Sequence, residues 1–158
     1  MGAGFVVFGL LVDGFAWGLY RTMGRSGGTV GMLVGLLVFG TSVALSGFAQ
    51  DYNQSPDVPH NLKGHLHSIF AQIAVIGLLV GMFFLARSAH QRPGWQIVPG
   101  VSIAAAVTVT GFGLLFTLLP ASVQGLLQRG LYGATLLWMA VVAVTAMRAV
   151  EPELSVDQ

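Results

Sequence analysis

The feature that most constrains this chain is the run from Thr29 to Phe48, 20 residues without a charged side chain. At 1.5 Å per residue, a helix of that length reaches about 30 Å, the thickness of a bilayer's hydrocarbon core. Four more apolar runs accompany it, so the expected fold is all-α: a polytopic transmembrane helical bundle of five spans, at about 2–20, 29–48, 66–85, 96–119 and 131–147. Residues 1–150 read as one transmembrane domain, and 151–158 as a disordered cytoplasmic tail.

Composition agrees with a lipid solvent. Hydrophobic residues make up 54% of the chain and charged ones 8%, where a soluble domain carries roughly a quarter charged residues. With 158 residues, five spans leave no room for a soluble catalytic domain. The net charge of +1, with its basic residues scattered, argues against a nucleic-acid partner. The absence of cysteine excludes disulfides, thiolate metal sites and cysteine nucleophiles.

The ends of the runs carry interfacial residues. The first is interrupted by Asp13 and closes on Trp17, Tyr20 and Arg21, an aromatic-then-basic ending suited to a membrane boundary. It has no basic stretch ahead of it and does not read as a signal peptide. A polar turn, Arg21 to Gly28, leads into the second run, and the longest loop, Gln50 to Gly64, follows that run. The segment from Ser88 to Trp95 connects the third and fourth runs. Pro99 fits a first helical turn, Pro120 stops the fourth run, and Pro120 to Gly130 reads as the next loop. Thr108, Thr110 and Thr117 can hydrogen-bond to carbonyls of their own helix. Arg129 and Arg148 bracket the short last span, where their long side chains can snorkel to the interface.

Glycine occurs 22 times and recurs at four-residue spacing in Gly14 with Gly18, Gly24 with Gly28, Gly27 with Gly31, Gly31 with Gly35, and Gly77 with Gly81. Small residues at this spacing let helices approach closely. They serve either close packing within the bundle, or self-association or binding of other membrane proteins through glycine-rich helix faces.

Five spans make the connections alternate sides. Arg21, Arg25, Arg87, Arg92 and Arg148 fall on one side, and Lys63 and Arg129 on the other. Cytoplasmic loops carry the excess of basic residues. The C-terminus is therefore expected in the cytoplasm of a cell membrane, with the 50–64 loop and the N-terminus extracytoplasmic. A start outside, with no basic residue before the first span, would be relieved by one more helix upstream.

Trp17-Gly18-Leu19-Tyr20-Arg21, a Gly-rich span, an acidic loop with prolines, and then Gly64-His65-Leu66-His67 follow in order. Together they resemble the DUF 998 family (domain of unknown function 998) of mainly bacterial membrane proteins. In the outer loop Phe48, Asp51, Pro56, Pro59, Gly64, Leu66 and His67 match that family's pattern, while Ala49-Gln50 and Lys63 depart from it. The resemblance implies a six-helix architecture of which this chain holds the C-terminal five. It implies no activity, so chemistry has to come from the residues.

Three groups carry candidate chemistry. His60, His67, Asp51 and Asp57, with His65 nearby, offer imidazole and carboxylate ligands suited to a divalent metal. His65 and His67 point to nearly opposite faces if both are helical, whereas His60 and His67, seven apart, can share one. Otherwise His67 caps or packs the start of the third span. Asp13 lies inside a span, where an ionised aspartate costs about 2.5 to 3.5 kcal/mol at the bilayer centre. It is expected to be protonated, or satisfied by hydroxyls and backbone of neighbouring helices, and to act as a proton or ion relay or as packing. Arg129 either balances the acidic loop or snorkels. Three function classes follow: a structural or accessory membrane protein, favoured because it demands least; a small-solute or proton transporter using Asp13; and an outward-facing metal-assisted hydrolase using the Asp51 to His67 loop. No cofactor is required by any motif. The bilayer is the one partner the sequence demands.

Overall fold

The computed structural model describes residues 2–49 and 62–156. Among them are five helices: α1 (Gly2–Met23), α2 (Gly27–Phe48), α3 (Leu62–Ala89), α4 (Ile97–Leu118) and α5 (Ala121–Val156). Each is long and apolar enough to cross a membrane, as the charge-free runs require. The packing divides the chain into two units, Met1–Gly81 and Met82–Gln158, so α3 contributes to both.

In the first unit, α1 ends where Gly24 takes φ +68°, a left-handed conformation that glycine adopts without a Cβ penalty. Three residues later α2 is under way. Ser26 caps it: its hydroxyl accepts from the Thr29 amide at 3.1 Å, and its own amide donates to the Thr29 hydroxyl at 2.8 Å. The fully buried Thr29 hydroxyl also donates to the Gly24 carbonyl at 2.7 Å. The expected polar turn over 21–28 is thus cut to residues 24–26.

Backbone-level contact holds the two helices side by side. A Cβ on Gly2 or Gly9 would collide with the carbonyl of Gly47 or Gly40 respectively, and one on Gly47 would lie 2.7 Å from the Gly2 carbonyl oxygen. The matched pairs, 2 with 47 and 9 with 40, fix an antiparallel register. On its other side α2 meets α3, where a Cβ on Gly35 would come within 2.8 Å of the Gly81 Cα and one on Gly77 within 2.8 Å of the Gly35 carbonyl oxygen. Of the four-residue glycine pairs, Gly77 with Gly81 therefore packs as expected. Gly14 and Gly18 meet nothing within 4 Å.

In the second unit, α3 ends at Ala89 and the chain turns through Gly94, with φ +79°, onto the buried Trp95. The α4–α5 seam is joined by side chains. Trp138 is buried and its indole Nε1 donates to the buried Ser102 hydroxyl at 3.0 Å, while the Phe112 ring lies where a Cβ on Gly130 would be. As expected, Thr108 donates to the Ala104 carbonyl at 2.9 Å and Thr117 to the Leu114 carbonyl at 2.8 Å.

Three boundaries differ from the sequence reading. Leu119 is extended ahead of Pro120, as residues before proline tend to be, but α5 then starts at Ala121. The expected 120–130 loop is helical because a proline at the head of a helix supplies a suitable φ and loses no needed amide. Helix also continues to Val156, in place of the disordered tail expected over 151–158. On the N-terminal side, α3 begins at Leu62, four residues ahead of expectation, which places Lys63, His65 and His67 on a helix.

Candidate functional site

Asp13 sits on the α1 face that packs against α2, among the buried Val12 and Ala16. One carboxylate oxygen, Oδ2, accepts a long hydrogen bond from the Thr41 hydroxyl at 3.4 Å. The other, Oδ1, is buried and has no hydrogen-bond partner among the described residues. It occupies the space that a side chain at Gly40 would fill, and a Cβ there would also come within 2.7 Å of the Gly9 carbonyl oxygen. Gly9 lies one helical turn before Asp13, so the two oxygens flank the same point on α2. Among the described residues, an aspartate in a span thus has neither a cationic partner nor a full set of donors around it.

His67 occupies the other end of the same unit. Its Nδ1 lies 3.1 Å from the Ser46 carbonyl oxygen, and its ring meets the Phe5 ring edge-on at 6.5 Å and 88°. A carbonyl only accepts, so the proton of this bond is on Nδ1. Ser46 is in the last turn of α2, whose final carbonyls have no partner within the helix. His67 therefore caps the end of α2 from α3, rather than capping the start of its own helix. His65 is exposed on α3.

Asp51, Asp57 and His60, the other candidate metal ligands, lie outside the described residues. Among the described residues, no group of three metal-ligating side chains comes together. Arg129 is exposed on α5, two turns inside the helix and not at its end.

The sequence reading missed two sets of residues. Gly9, Gly40 and Thr41 complete the surroundings of Asp13. Their signal was a seven-residue spacing, Gly2 to Gly9 and Gly40 to Gly47, which a search at four-residue spacing passes over. Gln124 and Gln128, expected in a loop, are helical because α5 begins at Ala121, and they precede Tyr132 of the expected span. Gln124 donates to the Phe116 carbonyl at 3.3 Å at the end of α4, and Tyr132 is hydrogen-bonded to Gln128. The two glutamines put polar side chains into a helix over residues expected to form a loop.

Comparison with known proteins adds two findings on kinship. The chain is 28% identical to "D-xylose-proton symporter-like 2" of Arabidopsis thaliana over 102 residues, 65% of this chain. It spans only 20% of that protein's length. No solved structure matches it. The family model described as "Protein of unknown function (DUF998)" matches residues 1–145, nearly the whole described bundle, and the chain belongs to that family.

Proposed function

We propose that this protein takes part in proton-linked transport of a small solute across its membrane, with Asp13 as the group that gains and loses the proton. The observation that carries the reading is the Asp13 carboxylate itself, held inside an apolar span with Oδ1 buried and unpartnered. Ionisable side chains at such depth are expensive, and where they occur they mark ion and proton pathways. The partial likeness to a symporter-like protein supports the same class, as does the polar ladder Gln124, Gln128 and Tyr132 on α5.

The test is flux in vesicles holding the purified protein and an entrapped pH-sensitive dye. An imposed potential is expected to drive proton movement in the wild type, with D-xylose as the first solute tried for coupling. Asp13→Asn, which keeps hydrogen-bonding capacity, is expected to abolish the flux while leaving the helical content unchanged. Equal flux in both proteins would overturn the reading. It would favour the structural or accessory role instead, for which the backbone-level packing of α1, α2 and α3 is the supporting observation.

We place the Arg92 connection in the cytoplasm and Lys63 on the opposite face, from the distribution of basic residues between alternate connections. Single cysteines at the two positions are expected to react with an impermeant reagent from opposite sides, and labelling from one side only would refute the alternation.

A further inference from the structure

We infer that the ion bound at Asp13 is a proton held on Oδ1 and donated to the Gly9 carbonyl, and that Gly40 is the residue that restricts this site to a proton. The inference rests on the proposed transport role only for its use. The site itself stands on geometry.

The donor and acceptor inventory leads there. Asp13 Oδ2 already receives the Thr41 hydroxyl, so Oδ1 is the oxygen left over. An ionised carboxylate is an acceptor only, and nothing donates to Oδ1; a carboxylic acid has one O–H to give. The Gly9 carbonyl oxygen, one turn back on the same helix, lies 2.7 Å from where a Cβ on Gly40 would stand, the same point that Oδ1 crowds. Side chains in helices use this back-bonding geometry when apolar surroundings offer no other partner. A proton on Oδ1 turns two facing acceptors into a donor and an acceptor.

Gly40 decides what fits. Its missing side chain leaves the space that Oδ1 occupies, and its backbone closes that space from the α2 side. A hard metal cation collects roughly six oxygens at about 2.0 to 2.6 Å. The oxygens gathered here are the two of Asp13, the Thr41 hydroxyl and the helical Gly9 carbonyl. A proton needs only one donor atom and one acceptor.

Among the described residues no other titratable group of this unit competes at this point. Residues 27–48 of α2 contain none, and on α1 the nearest are Tyr20 and Arg21, about two turns toward the C-terminal end. The portion of α3 in this unit carries Lys63, His65 and His67, and His67 lies against Phe5, two turns away on the other side of Asp13.

Infrared difference spectroscopy of the full chain in vesicles reads this directly. A carboxylic-acid carbonyl stretch is expected that disappears in Asp13→Asn, sits at the lowered frequency of a hydrogen-bonded acid, and titrates with pH identically with and without added Na+ or Li+. Thr41→Val is expected to retain the band, since Oδ1 and Gly9 are untouched. Gly40→Ala is expected to shift or remove it with helical content intact. Should Gly40→Ala fail to fold, the wild-type ion series still decides. Loss of the band on adding Na+ at constant pH, a free-acid frequency, or no Asp13 band at any pH would each overturn the inference. A band with these properties in a protein that shows no flux would leave the proton site standing and refute the transport role.

Discussion

The α1–α2 seam and the α4–α5 seam each join consecutive helices through a short connection, yet they are built by opposite means. Along α1–α2 the contact is backbone on backbone: Gly2 against Gly47 and Gly9 against Gly40, with Asp13 tucked into the next turn. Along α4–α5 the contact is side chain on side chain, through Trp138 with Ser102 and Phe112 over Gly130. Gly100, Gly111 and Gly113 of α4 meet nothing within 4 Å. Glycine content alone therefore does not mark a helix contact. Lipid offers no hydrophobic drive between helices, so packing and hydrogen bonds hold them, and either a bare backbone or a large aromatic can supply the packing.

The largest effect is expected where the second seam depends on one side chain. Trp138→Ala should destabilise the α4–α5 pair by roughly 3 to 5 kcal/mol, the range for emptying a buried aromatic site, measured by equilibrium unfolding in mixed detergent micelles. Trp138→Phe should lose the bond to Ser102, about 0.6 kcal/mol in a membrane, and part of the ring packing, and so cost less than Trp138→Ala. A loss for Trp138→Ala no larger than that would mean the ring is not the seam's anchor. A smaller effect should separate the seams in the other direction. Gly9→Leu must displace Ala44, whose Cβ would lie 2.8 Å from the new Cβ, and overpacking of this kind costs about 1 to 3 kcal/mol. Gly14→Leu, where nothing stands within 4 Å, should be neutral or stabilising because leucine is the better helix former. Equal behaviour of the two variants would erase the distinction between the seams.

Physical signals of different range explain what was legible in the sequence. The five helices followed from the length of the apolar runs, which is a property of each segment by itself. Turn chemistry was less certain: Pro120 and Gly125 suggest a loop when read locally, but Pro120 heads a helix and Gly125 is accommodated within α5. Asp13 was visible because a charge in a span is conspicuous. Gly40 and Thr41 were not, since only the register between α1 and α2 brings positions 27 and 28 residues away against it. His67 was recognised as a cap, but the helix it caps depends on the pairing of α3 with α2.

The three-residue link at Gly24 bears on how the protein is made. Because Gly24, Ser26 and Thr29 lock α1 to α2 through contacts local in sequence, the two helices are suited to leaving the translocation machinery together as a hairpin. Asp13 would then reach lipid with Gly40 and Thr41 already beside it. A lone α1 would instead carry its carboxyl into hydrocarbon bare, at about 2.5 to 3.5 kcal/mol on the insertion scale. On that route the tight turn would act at the moment of synthesis, lowering the barrier to placing an acidic residue in a membrane.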